Sequence, residues 1–145
     1  MNTPPTTVDE AVAQLRRGCP ELSEVLDTIG APGGDGVGLY TVFCDVLLPL
    51  IANVLTGGAD QSFDRGFPGA LDQEVDDRRD LIRRLYDVFE EWAVSPDRDI
   101  RDVVYIELLE NGYTVLDVNR PDLTVDDLLR YAGPRLKAMR VAGPR

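Results

Sequence analysis

A chain of 145 residues, 43% apolar and 28% charged, has room for one substantial core and the composition of a globular domain. Its 26 acids against 15 bases give a net charge of −11, the opposite of the clustered Lys and Arg that nucleic-acid phosphate or an anionic membrane surface requires. Histidine is absent, which removes the commonest general base, triad member and metal ligand.

Taken in chain order, the first signal is Thr7-Val8-Asp9-Glu10, a capping box in which the Thr7 and Glu10 side chains can satisfy each other's backbone amides. Val8, Ala11, Val12 and Leu15 follow at helical spacing, and Gly18 fits the position just past a helix end. Pro20 suits a first helical turn, and Leu22, Val25, Leu26 and Ile29 carry a second short helix to Gly30. Residues 30–38 (GAPGGDGVG) read as a flexible connection. The strongest periodicity comes next: Leu39, Val42, Phe43, Val46, Leu47, Leu50, Ile51, Val54 and Leu55 keep one apolar stripe. Pro49 removes the hydrogen bond to the Asp45 carbonyl, so this core helix is expected to kink or break there.

Residues 56–69, with Phe63 and Phe67, read as a Gly-rich loop. The spacing then predicts a helix over 70–93, with Leu71, Val75, Ile82, Leu85, Phe89 and Trp92 inward and its acids outward. Ser95-Pro96 is the expected cap of a helix running to about Asn111. That helix is apolar nearly all round, through Ile100, Val103, Val104, Tyr105, Ile106, Leu108 and Leu109, so it should be buried on most sides. Tyr113–Val118 is the one plausible strand. Thr124 caps an amphipathic helix that Gly133-Pro134 breaks, with a turn or two beyond. The expectation is all-α: a compact bundle or short helical stack of five to seven helices in a single domain over 1–145, with 1–6 and 141–145 disordered.

The charge is uneven. Residues 133–145 hold Arg135, Lys137, Arg140 and Arg145 and no acid, so the first 132 residues carry all 26 acids against 11 bases, a net of −15. Such a body attracts a basic protein surface and speeds its encounter at low salt. The acids are densest at Asp76, Asp77, Asp80, Asp87, Glu90 and Glu91, which form the candidate partner-binding set, interleaved with Arg78, Arg79, Arg83 and Arg84. Glu107 falls inside the apolar helix, where a carboxylate must be paired or hydrogen-bonded. It and Glu110 are expected to be buried structural carboxylates.

Positive signs of chemistry are few. Cys19 and Cys44 lack any CxxC spacing and read as reduced, packed thiols of a cytoplasmic protein. Cys44 beside Asp45 has no basic neighbour to activate it. The 30–38 glycines lack the Lys-Ser/Thr of a P-loop and the GxGxxG spacing. No cofactor, metal or catalytic residue is expected, and neither a secretory signal nor a bilayer-spanning stretch is recognised in the sequence.

The run Leu85-Tyr-Asp-Val-Phe-Glu-Glu-Trp92, followed after a short gap by Ile100-Arg-Asp-Val-Val-Tyr-Ile-Glu-Leu-Leu-Glu-Asn111, resembles small bacterial helical proteins. In those, a helix ending in Phe-x-Glu precedes one ending in Leu-Glu, and some are taken to be immunity or antitoxin partners of polymorphic toxins. The resemblance implies an all-helical, non-catalytic protein binder and carries over only Glu110, as a structural carboxylate. The alternative from the residues alone is a self-associating accessory or scaffold domain, a homodimer contacting through Phe63, Phe67 and Trp92. An enzyme working through carboxylates, with magnesium, is the third reading.

Overall fold

The computed structural model describes residues 3–28, 38–112 and 124–142. It is 71% helical and contains eight helices and no strand among those residues. In order these are α1 (Val8–Gly18), α2 (Ser23–Thr28, entered through a 3₁₀ turn at Pro20–Leu22), α3 (Gly38–Leu55), α4 (Ser62–Gly66), α5 (Arg78–Trp92), α6 (Arg98–Val103, continuing as Val104–Gly112), α7 (Val125–Leu128) and α8 (Pro134–Ala142). The 30–38 connection, except Gly38, and the expected strand at 113–118 lie outside the described residues.

The core helix keeps its full apolar stripe and bends as Pro49 requires. Residues Phe43–Leu47 widen into a π-helical turn between the two α-helical halves, with the Leu48 amide donating five residues back to the Phe43 carbonyl. A π-turn absorbs an interrupted ladder without ending the helix. Gly38–Leu55 is long and apolar enough to cross a membrane by length and composition, and 61% of it is buried inside the fold. A core helix passes the same test.

Helix α5 is the hub, packing on α1, α3 and α8. Its Phe89 stacks on Phe43 of α3 with ring centroids 5.0 Å apart, and Trp92 meets Phe43 edge-on at 6.0 Å. Tyr86 and Phe89 lie 5.4 Å apart. The Tyr86 hydroxyl, fully buried, donates to the Leu128 carbonyl at 2.6 Å, tying α7 to the core. Offset and edge-on ring pairs of this kind add to what their burial contributes.

Several boundaries differ from expectation. The predicted 70–93 helix begins only at Arg78, because Arg78 is drawn inward. Its guanidinium donates to Asn53 Oδ1 and Asp64 Oδ1, both at 2.9 Å, and to the Gln73 carbonyl at 3.3 Å, and lies 5.8 Å from the Phe63 ring centroid. Residues 70–77 lead irregularly to that anchor and close in a turn at 75–77, and the expected loop before them folds the extra helix α4. Asp97, not Ser95, caps α6, accepting from the Asp99 and Ile100 amides. Ser95 is buried and bonds the Pro5 carbonyl instead, so residues 3–6, expected to be disordered, are held against the fold. At the other end α8 continues to Ala142 with Leu136 and Met139 buried.

Candidate functional site

The six acids proposed for a partner divide in two. Asp76, Asp77, Asp80 and Asp87 are exposed. Asp76 and Asp77 precede α5 instead of riding on it, and with exposed Asp72 and Glu74 they form an acidic rim before the helix. Asp80 is bound by Arg84 Nε at 3.0 Å. Glu90 and Glu91 turn inward. The Glu90 carboxylate accepts from the backbone amides of Arg135 at 3.1 Å and Leu136 at 2.7 Å, two of the orphan donors at the start of α8. Gly133 makes this possible, since a Cβ there would sit 2.1 Å from Glu90 Oε1. Glu91 faces Arg135 at 3.5 Å, with Oε2 buried and unpartnered among the described residues. These two carboxylates hold α8 onto α5.

Glu107 is buried as expected, 6% exposed, and one of its partners is a thiol: Cys44 Sγ donates to Glu107 Oε2 at 2.9 Å. The bond joins the π-turn of α3 to the π-helical part of α6. Glu110 is exposed, because the wider π-turn carries it off the face that Glu107 occupies. Cys44, expected to be packed, is exposed, while Cys19 is buried. Partial burial, then the Glu107 acceptor and Asp45, push the Cys44 thiol up to about 12. Burial, followed by Asp102, Asp99 and Glu107, raises Tyr40 on the same face. A thiol kept protonated in this way is a poor nucleophile.

Two surface cavities lie elsewhere, along α1. A groove of about 490 Å³ between α1 and α5 is lined by Gln14, Arg17, Gly18, Arg84, Asp87 and Val88. A second, of about 370 Å³, runs from Gln14 and Arg17 past Glu10 and Ala13 to Thr3–Thr6. The helices meet closely at the groove's floor, where a Cβ on Gly18 would lie 3.0 Å from Val88 Cγ2. Arg84 is already engaged: it grips both Glu21 oxygens, Asp80 and the Gly18 carbonyl. Its guanidinium holds the Glu21 carboxyl down to about 2. Gln14, 8% exposed, accepts the Trp92 indole N–H at 3.1 Å.

Sequence reasoning missed the Gln14–Trp92 pair, the Arg78 anchor and the α1/α5 groove. A Gln at an inward helical position and an Arg on an apolar stripe were the available signals. No group of three or more Cys, Asp or Glu able to hold a metal ion occurs among the described residues. Comparison with protein-family models, curated proteins and solved structures gives no match.

Proposed function

We propose that the chain is a non-catalytic acidic binding module that covers a basic surface of a protein partner in the manner of an immunity or antitoxin protein. The observation that carries this reading is the exposed acidic run over residues 72–87. Asp72, Glu74, Asp77 and Asp87 stand there outside any ion pair among the described residues, so their field is available to an incoming partner. Exposed Arg79 and Arg83 interrupt the run, but its balance is negative, and a surface of that sign steers the encounter with a basic partner. The raised thiol of Cys44 argues against nucleophilic chemistry at that residue. Of the contacts offered for self-association, Phe63 and Trp92 are fully buried, and half-buried Phe67 packs on Phe63 with centroids 5.6 Å apart, which favours the binding-module reading.

The test is kinetic. The tagged chain is used to capture its partner from the source organism, with the product of the neighbouring reading frame assayed first. Association rates are then measured against salt. Paired reversal of Asp76 and Asp77 to Lys should slow association several-fold at low salt and flatten its salt dependence. An unchanged on-rate for that pair, and for Asp72 with Glu74, would remove the proposed face.

A further inference from the structure

Three groups at the α1/α5 groove have unused bonding capacity. Trp92 N–H can only donate, so the Gln14 amide must present its oxygen to the indole. That leaves Gln14 Nε2, on a residue more than nine-tenths buried, without a partner among the described residues and open to the wall of both grooves. Arg17 is exposed, belongs to both grooves and makes no ion pair or hydrogen bond among those residues. Asp87 lines the larger groove and is likewise free of hydrogen bonds and ion pairs among them. Although Arg17 and Asp87 share a groove, no ion pair within 4.0 Å joins them. Two donors and one anion therefore stand apart on a floor built from two rigid helices.

That pattern selects its ligand. A small anion would suit Arg17 and Gln14 but meet Asp87 as a like charge. A simple cation would suit Asp87 and meet Arg17. A polypeptide satisfies all three: main-chain carbonyls accept from Gln14 and Arg17 without adding charge, while a basic side chain reaches Asp87. The length also fits. Glu10, Ala13, Gln14, Arg17 and Gly18 recur along one face of α1, a span of roughly 12 Å at about 1.5 Å per helical residue. About four residues of extended chain, at roughly 3.3 Å each, cover it.

We infer that the joined grooves along α1 seat an extended segment of a partner polypeptide, with carbonyls on Gln14 Nε2 and Arg17 and a Lys or Arg at Asp87. This rests on the reading as a binder of basic proteins and names where a partner's chain would lie, next to the acidic run that ends at Asp87.

The experiment uses the full chain, ¹⁵N-labelled, against two arrayed libraries of N-acetylated, C-amidated octapeptides, one with a fixed central Arg and the other with a fixed central Glu. Members of the Arg library are expected to shift the Gln14 side-chain amide and the Trp92 indole signals. Arg17→Glu should weaken that binding at least tenfold, and Asp87→Lys should reverse the preference toward the Glu library. Both positions are exposed, and unchanged amide spectra of the free variants check that the fold is kept. Peptides that leave Gln14 unmoved, or bind both variants as well as the native chain, overturn the inference. The broader function is judged separately, by the salt-dependent on-rate of the Asp76 and Asp77 reversal.

Discussion

Replacing Arg78 by Ala should cost the fold about 3 kcal/mol. The side chain is 7% exposed and makes three hydrogen bonds, to Asn53, Asp64 and the Gln73 carbonyl. Removing it strands the fully buried Asn53 Oδ1 and uncovers the Phe63 ring. Breaking a buried charged pair costs roughly 3–5 kcal/mol. The low end applies because Asp64 is 45% exposed and can recover water. For a chain of this size each kcal/mol lowers Tm by about 2–4 °C, so a drop of roughly 6–12 °C is expected. Urea unfolding would read it as a lower midpoint with the slope preserved. Arg78→Met, which keeps an apolar stem in the buried site, should lose less than Ala. Hydrogen exchange should show residues 56–77 opening first in the Ala variant. A loss below about 1 kcal/mol, or uniform exchange across the chain, would refute the view that one guanidinium organises this segment.

Further outcomes can be checked in the same material. Glu21 has its carboxyl depressed from 4.5 to about 2 by the Arg84 guanidinium. Its contribution is therefore complete above about pH 4.5 and fades as pH falls toward 2. The gap in urea midpoint between the native chain and Arg84→Gln should close over that window; a gap that widened on acidification would have the wrong sign. Gly133→Ala should expel Glu90 from the start of α8 and cost about 1–2 kcal/mol, the usual worth of a lost cap, measured as a lower thermal midpoint. Tyr86→Phe strands the Leu128 carbonyl and should cost about 1 kcal/mol. Cys44, though exposed, should alkylate with iodoacetamide at pH 8 at least tenfold more slowly than a free thiol of ordinary pKa, and Glu107→Gln should raise the rate.

What could be read from the residues follows physical range. The α3 stripe and the kink at Pro49 are local consequences of spacing and a missing N–H. The Thr7 cap was equally legible: its hydroxyl accepts from the Glu10 amide at 3.1 Å. Glu10, however, reaches back to Thr6, one residue further than the box implies. Long-range bonds were invisible. Leu71 and Val75 continue the helical period, and nothing nearby reveals that Arg78 is claimed by a residue 25 positions earlier. Glu90 and Glu91 look like solvated acids until α8 brings its first amides to Glu90, 45 residues later, and the Arg135 guanidinium to Glu91. Of the candidate partner set, the members without such a distant tie are the ones left facing solvent.

The Trp92–Gln14 bond has a practical side. Trp92 is the chain's single tryptophan, and its indole N–H ends on an amide whose other half borders the groove. Any ligand accepting from that amide would polarise it and strengthen its pull on the indole proton. The molecule thus carries an intrinsic optical probe wired to one surface, so occupancy of the groove can be followed by ultraviolet emission without a label.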